Sequence, residues 1–168
     1  MSHNSAIKLL VTGGTIDKCY NEITGELVFN HSHLPQMLRQ SRCEVALTTD
    51  TILLKDSLEM TNPDREIILQ ACQHATESLI ILTHGTDTMT LTAKHLAAHI
   101  AHIKDKTIVL LGAMIPYTFK KSDSLFNLGC SIAAVQCLPA GIYITMNGKV
   151  FNWNQVTKNR QAGIFESC

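Results

Sequence analysis

The chain has 168 residues, which fits one domain and leaves too little for two domains of full size. Hydrophobic residues make up 45% and charged residues 17%, enough for a packed core and too apolar for a disordered chain. Basic and acidic residues both number 14, and aromatic residues make up only 5%, so the composition excludes general binding to nucleic acid or to an anionic membrane.

Strand-like segments alternate with helical ones along the chain. In chain order, the pattern predicts a strand over 6–12, a helix over 32–41, a strand over 43–49, a helix over 62–77, a strand over 79–83, a helix over 88–103, a strand over 107–111, a helix over 123–137, a strand over 141–146 and a hairpin turn at Asn147-Gly148. Pro63 fits the first turn of a helix capped by Thr61 or Asn62. The uninterrupted apolar run over 79–83 is typical of a strand buried on both faces.

This alternation predicts an α/β fold of the doubly wound, Rossmann-like kind, with a mostly parallel sheet and helices on both faces. Residues 1–168 are expected to form a single domain. In such sheets, ligands bind beyond the carboxyl ends of the strands, near the point where the strand order reverses. The residues that follow each strand are therefore the place to look for chemistry.

The cysteines and the first apolar segment bear on the compartment. The run over 7–11 is interrupted by Lys8 and is too short for a signal peptide, and no segment approaches the roughly 18 apolar residues of a membrane helix. The six cysteines contain no Cys-x-x-Cys spacing and are predicted to be small buried thiols. Together these features predict a soluble, cytoplasmic protein.

Three short glycine-bearing loops follow predicted strands, over 12–17, 83–89 and 112–116. Neither Gly-x-Gly-x-x-Gly nor Gly-x-x-x-x-Gly-Lys-Ser/Thr is present, so a nucleotide cradle is excluded. Gly13-Gly14 alone is compatible with a simple tight turn, and Asp87 or Thr88 with an ordinary helix cap. One cap, however, does not require the four polar side chains of His84, Thr86, Asp87 and Thr88.

Several motifs together resemble the bacterial-type L-asparaginase/glutaminase family. They occur in the family's order and cover roughly residues 8–160. The matching segments are Gly13-Gly14-Thr15-Ile16, Asp56-Ser57 with Met60, His84-Gly85-Thr86-Asp87-Thr88-Met89, Gly112-Ala113-Met114, Phe126-Asn127-Leu128 and Val156-Thr157-Lys158. The resemblance implies an amidohydrolase that converts L-asparagine to L-aspartate and ammonia through a threonine acyl-enzyme, without a cofactor.

The family resemblance also implies the catalytic roles. Thr15 matches the nucleophile, and splitting amide hydrolysis through an acyl-enzyme makes each step easier. Thr86, Asp87 and Lys158 match a second centre, in which the lysine eases removal of the threonine proton and the aspartate positions the lysine. Without the match, Lys158 would be interpreted as a solvated loop charge. Tyr20, five residues after Thr15, is assigned the family's loop tyrosine, although that loop is longer in two-domain relatives.

Substrate contacts are implied in the same way. Ser57 matches the serine that holds the α-carboxylate, Asp87 is the expected counter-ion of the substrate ammonium group, and the main chain of Ala113 meets the leaving amide. Glu59 is a weaker binding candidate. Leu58 stands where some members have a polar side chain, which leaves the selectivity of amino-acid recognition open.

Other charged or metal-binding residue types favour structural interpretations. Asp17 and Lys18 lie next to Tyr20, where a supporting role is open, but they are expected to be solvated loop charges. The histidines at 95, 99 and 102 share one helical face opposite Leu96, Ile100 and Ile103, which predicts a polar face and no metal site. His31-Ser32-His33 is expected to be the loop that starts a helix, and His84 a structural residue of its motif.

Most family members carry a smaller C-terminal domain that helps to wall a neighbouring active site. This chain stops near where the linker would begin, so it is either a single-domain member or the N-terminal part of a longer protein. A homodimer or higher homo-oligomer that closes the site is the expected assembly. Two alternatives stay open: hydrolysis of L-glutamine or another small amide, and a non-enzymatic amino-acid-binding domain.

Overall fold

The computed structural model describes residues 6–168, and this part of the chain forms one central sheet, two small hairpins and four α-helices. The elements are β1 (Ile7–Gly13), β2 (Lys18–Asn21), β3 (Glu26–Phe29), α1 (Leu34–Gln40), β4 (Leu47–Lys55), α2 (Asn62–His74), β5 (Leu79–Thr83), α3 (Met89–Ala98), β6 (Thr107–Leu111), α4 (Ser124–Cys137), β7 (Gly141–Met146), β8 (Lys149–Asn152), β9 (Thr157–Asn159) and β10 (Ile164–Glu166). No helix within 6–168 is long and apolar enough to cross a membrane.

The central sheet has the strand order β4-β1-β5-β6-β7-β8. Its first five strands are parallel, and β8 returns antiparallel to β7. From β1 the chain moves outward to β4 and then crosses back to β5 on the other side of β1. The strand order therefore reverses between β1 and β5, which is where a parallel α/β sheet forms its binding crevice. The predicted doubly wound fold is confirmed.

The core lies on both faces of the sheet because residues of the central strands alternate between them. Ile80 and Leu82 of β5 pack with α2 and α3, whereas Ile81 packs with α1 and α4. In β6, Ile108 and Val109 are divided in the same way. Each of these side chains is fully buried, as the continuous apolar runs predict.

Two capping and turn predictions are confirmed in detail. The Thr61 hydroxyl accepts the N–H of Asp64 at 3.4 Å, and the Asp64 carboxylate accepts the Thr61 N–H at 2.7 Å, which forms a capping box at the start of α2. Asn147 and Gly148 both have positive φ, 57° and 74°, as a primed hairpin turn requires.

The predicted second strand is misplaced. Residues 43–46 are not in a strand, and β4 instead runs from Leu47 to Lys55. The position is dictated by pairing with β1, in which Ile7 lies beside Leu47 and Val11 beside Thr51. The apolar residues before Leu47 suggested a strand, whereas the β-branched and aliphatic residues after it form the actual edge strand.

The predicted helix over 88–103 is also interrupted, because α3 ends at Ala98 and a 3-10 turn follows over Ile100–His102. This break turns Ile103 into the core at 2% exposure and leaves Ile100 at 42%, so the prediction that Ile100 is on the buried side is wrong. The cysteine prediction holds only in part. Cys72 is buried, but Cys137 and Cys168 are exposed free thiols.

Candidate active site

Three loops at one edge of the sheet bring the motif residues together. They follow β1, β5 and β6, which are adjacent central strands, and the strand order reverses between the first two. The hairpin of β9 and β10 and the 3-10 turn Ser57–Glu59, which follows β4, join them. The polar residues of the motifs are therefore collected from distant parts of the chain at the crevice.

The loops after β1 and β5 touch backbone to backbone. Gly14 has φ 78° and ψ 179°, a conformation that is essentially restricted to glycine. A Cβ placed on Gly14 would lie 2.6 Å from the Cα of Gly85, which is closer than any side-chain carbon can approach. Since Thr15 and Thr86 directly follow these two glycines, the contact brings the two threonine loops together.

Thr86, Asp87 and Lys158 form one hydrogen-bonded group. Lys158 Nζ donates to Thr86 Oγ1 at 2.7 Å and to Asp87 Oδ1 at 2.8 Å. Thr86 is 5% exposed, and the Lys158 side chain is held by β9 at 11% exposure. Lys158 is therefore not a solvated loop charge. An ammonium group that donates to a hydroxyl oxygen stabilises negative charge developing on that oxygen.

Arg160 is a member of this group that the sequence interpretation missed. Its Nη1 donates to the same Asp87 oxygen at 2.9 Å, and its Nη2 reaches the main-chain oxygen of Asp87 at 3.4 Å. Asp87 thus carries two cationic partners. An arginine two residues after a motif lysine was the available signal, although nothing in the spacing indicates that both side chains turn to one carboxylate.

Ser57 lies beneath the loop after β5. It is 1% exposed, and its hydroxyl has no hydrogen-bond partner within residues 6–168. A Cβ placed on Gly85 would lie 2.5 Å from Ser57 Oγ, so the serine abuts that glycine. The Thr88 hydroxyl donates to the Ser57 carbonyl at 2.7 Å and fixes the turn. A buried hydroxyl without a partner is costly unless something supplies one.

Lys18 and Asp56 connect the loop after β1 to the turn that carries Ser57. Lys18 forms an ion pair with Asp56, and Asp56 also accepts the N–H of Leu58 at 2.9 Å. Burial acts to raise the pKa of Asp56, but the hydrogen bond from Lys18 brings it below the ordinary value. The expectation that Lys18 is a solvated charge is wrong, because its side chain is only 18% exposed.

Asp17 is not solvated either. It is fully buried, and its carboxylate accepts the N–H of His33 at 2.7 Å and the hydroxyl of Ser32 at 3.2 Å. Removal from water raises the pKa of Asp17 to about 6. The predicted helix-start loop over 31–33 is thereby tied to the 3-10 turn Thr15–Asp17, which carries the candidate nucleophile.

Of the remaining predicted site residues, Tyr20 and Glu59 are exposed and Ala113 is buried. Tyr20 is 55% exposed on β2, opposite Leu27, and its hydroxyl leans toward the hairpin turn at Gly25. Glu59 is exposed beside Ser57. Ala113 is fully buried in the loop after β6.

A second missed feature orders the loop after β6. The Asp123 carboxylate accepts the N–H groups of Met114 and Ile115, each at 3.0 Å. Asn127 donates to the Gly112 carbonyl at 3.0 Å. An aspartate just before a helix is a common cap, but here it binds the loop that the resemblance places over the leaving amide.

The histidines take structural positions. His84 is fully buried between the Gly85 carbonyl at 2.8 Å and the Thr92 hydroxyl at 2.7 Å, and burial lowers its pKa to about 4. His95 lies 3.6 Å from Glu66. Within the described part of the chain, no three His, Cys, Asp or Glu residues are grouped to hold a metal ion.

The chain is similar in sequence to known proteins. Residues 6–166 match the N-terminal domain of the asparaginase family. The L-asparaginase of Thermococcus kodakarensis is 30% identical over 163 residues, which are 94% of this chain and 49% of the relative. The glutaminase-asparaginase of Acinetobacter glutaminasificans is 39% identical over 82 residues, 47% of this chain and 24% of the relative.

The likeness extends to a solved structure. The thermostable L-asparaginase from Thermococcus kodakarensis superposes with a TM-score of 0.82 and 27% sequence identity, over 96% of this chain and 51% of that one. Nearly the whole of this chain aligns with the Thermococcus kodakarensis relative, but it spans only about half of that relative's length.

Proposed function

This chain belongs to the asparaginase family, and we propose that it hydrolyses the side-chain amide of L-asparagine to L-aspartate and ammonia. The observation that carries the proposal is the hydrogen-bonded group of Thr86, Asp87 and Lys158 beside the loop of Thr15. A poor nucleophile such as a threonine hydroxyl needs nearby groups that move protons and stabilise charge.

In the first step, Thr15 Oγ attacks the amide carbon. Its proton passes to the amide nitrogen, the carbon–nitrogen bond breaks, and ammonia leaves an aspartyl ester on Thr15. In the second step, water adds to the ester carbon, one of its protons passes to Thr15 Oγ as the bond between that oxygen and the carbon breaks, and aspartate is released. Both steps are proton transfers coupled to acyl transfer, and neither consumes a cofactor.

Thr86 is proposed to relay protons in this cycle. Its oxygen accepts from Lys158 at 2.7 Å, which leaves its own hydrogen free to donate toward the reacting amide or water. Lys158 stabilises negative charge on that oxygen as the proton departs, and Asp87 holds Lys158 in position. We assign Tyr20 to cover Thr15 when the hairpin of β2 and β3 folds over the substrate.

Substrate recognition follows from the polar groups around the threonines. The buried, unpartnered Ser57 hydroxyl is suited to donate to the α-carboxylate. Asp87 is suited to accept from the α-ammonium group, with Glu59 beside Ser57 as an additional contact, and the main chain of Ala113 meets the leaving amide. An amide that lacks these groups would be bound less well.

L-glutamine carries the same α-carboxylate and α-ammonium groups as L-asparagine. One relative is named a glutaminase-asparaginase, so L-glutamine and other small amides remain alternative substrates. A binding domain without catalysis is the alternative of a different class, but it would not need a threonine joined to a lysine and an aspartate.

We also propose a homodimer and a cytoplasmic location. Tyr20, Ile23 and Leu58 are large exposed apolar side chains on the hairpin and turn beside the site, and a second copy could cover them. Free thiols, two of them exposed, fit a reducing compartment. Sedimentation that finds a fully active monomer would contradict the dimer.

Ammonia release from L-asparagine and from L-glutamine tests the proposed function. We expect turnover of asparagine and much less of glutamine by the wild type, and at least about 10³-fold less turnover of asparagine by Thr15→Ala. Thr51→Ala is the matched control, since it removes the same hydroxyl from an exposed position on the edge strand β4. Wild-type turnover by Thr15→Ala would rule out the assigned nucleophile.

A further inference from the structure

The guanidinium of Arg160 is hydrogen-bonded to the carboxylate of Asp87, the group that is proposed to bind the substrate ammonium. Asp87 Oδ1 accepts from Lys158 at 2.8 Å and from Arg160 at 2.9 Å, and a second Arg160 nitrogen lies 3.4 Å from the Asp87 main-chain oxygen. Arg160 thus contacts both the side chain and the main chain of Asp87. A substrate ammonium that approaches Asp87 meets a carboxylate that already has two cationic partners.

The charges around the threonines lead to the same conclusion. The carboxylates of Asp56 and Asp87 face three cationic side chains, because Lys18 pairs with Asp56 while Lys158 and Arg160 pair with Asp87. Without Arg160, these ion pairs would be balanced. With it, the Asp87 carboxylate is shared between two cations, which weakens its attraction for a further ammonium group and its repulsion of an anionic ligand.

The two cations at Asp87 differ in how firmly they are held. The Lys158 side chain is 11% exposed and also donates to Thr86, whereas the Arg160 side chain is 63% exposed. An exposed ion pair contributes little to stability, so a ligand can displace Arg160 at a small cost. Arg160 is therefore a competitor for the carboxylate and does not block it.

We propose that Arg160 determines substrate specificity by competing with the α-ammonium group for Asp87. The site consequently discriminates less strongly than it would without Arg160 between amides that carry a free α-ammonium and monoanionic ω-amides of dicarboxylic acids that lack one. This inference rests on the proposed function for the identity of the site. It adds the substrate class, with succinamate, the analogue of asparagine without its amino group, as the defining alternative.

The test compares two ligands that differ only in the ammonium group. Calorimetric titration gives the dissociation constants of L-aspartate and succinate for the wild type, Arg160→Gln and Arg160→Lys. We expect Arg160→Gln to increase the preference for aspartate over succinate by up to about fivefold, the range of an exposed ion pair. Arg160→Lys keeps the charge without the two-point attachment, and its preference should lie between the other two.

Arg39→Gln is the matched control, since it removes an exposed arginine from α1. Its preference between the two ligands should equal that of the wild type. An unchanged preference in Arg160→Gln, an equal loss of affinity for both ligands, or no binding of either ligand would overturn the inference.

The titration separates this inference from the proposed reaction because binding of the two products needs no turnover. A wild-type protein that releases no ammonia from asparagine but shows the expected shift in Arg160→Gln would refute the hydrolase and support the competition. A protein that hydrolyses asparagine but shows no shift would do the opposite. Arg160→Gln should also raise the KM for ammonia release from succinamate relative to the KM for asparagine, and an unchanged ratio of the two KM values would count against the inference.

Discussion

Replacing Asp17 with asparagine should change how stability depends on pH. Asp17 is fully buried next to the candidate nucleophile, and no ion pair reaches it within residues 6–168. Burial raises its pKa from 3.8 to about 6, although the His33 N–H and the Ser32 hydroxyl oppose this effect. The folded protein therefore binds a proton to Asp17 more tightly than the unfolded chain does.

The sign and the size of the effect follow from this difference. Protonated Asp17 favours the folded state below pH 4, and the ionised form disfavours it above pH 6, so the free energy of unfolding falls between these values. At 1.36 kcal/mol for each pKa unit, the difference between 3.8 and about 6 amounts to about 3 kcal/mol. Asparagine stays neutral and keeps an oxygen that can accept the His33 N–H, so this component is absent from the variant.

Urea unfolding of the wild type and Asp17→Asn between pH 4 and pH 7 measures the prediction. The free energy of unfolding of the variant should rise relative to the wild type by about 2 kcal/mol across this range, less than the full difference of about 3 kcal/mol because Asp17 of the unfolded chain is already more than half ionised at pH 4. Any fixed cost of the asparagine NH2 group cancels, because only the change with pH is compared. Asp105→Asn, in an exposed turn, should give a nearly constant difference. A constant difference for Asp17→Asn as well would refute the argument from burial.

Two further substitutions test local features. Hydrogen bonds from Thr61 and Lys55 hold the pKa of Asp64 at about 2, so its contribution is present above pH 4 and disappears as pH falls toward 2. Asp64→Asn should lower the free energy of unfolding by about 2 kcal/mol at pH 7, and a loss that persists at pH 2 would contradict this. Gly14→Ala should abolish ammonia release, since its Cβ collides with Gly85. Gly25→Ala is also at positive φ, but its Cβ would meet no atom nearer than 3.9 Å, so this variant should stay active; equal activity of both variants would disprove the close approach.

The central strands were predictable because their signal is local. The apolar runs at 79–83 and 107–111 read as strands wherever their partners lie, and both bounds are correct. The bounds of the edge strand β4 were not predictable, because its register is dictated by pairing with β1 and its exposed residues weaken the apolar pattern. The strands of the hairpins of β2 with β3 and of β9 with β10 have only three or four residues each, which is too short for a periodic pattern to be recognised.

The site, too, has features with a local sequence signal and features that depend on distant parts of the chain. Glycine-bearing loops after parallel strands indicated where ligands bind, and the family motifs indicated Thr15, Thr86 and Lys158. The partners of charged residues could not be foreseen, because they depend on side chains that are distant in sequence. The carboxylate of Asp17 accepts hydrogen bonds from the 31–33 loop, and Arg160 reaches Asp87 from the hairpin of β9 and β10.

Formation of an acyl-enzyme on Thr15 is the step on which the proposed function depends most. Acid quenching within milliseconds of mixing with L-asparagine, followed by intact-mass spectrometry and peptide mapping, detects it directly. We predict that a fraction of the wild-type chain carries one aspartyl group on the peptide that contains Thr15, and that Thr15→Ala carries none. An aspartyl group on another residue, or one that persists in Thr15→Ala, would contradict the mechanism.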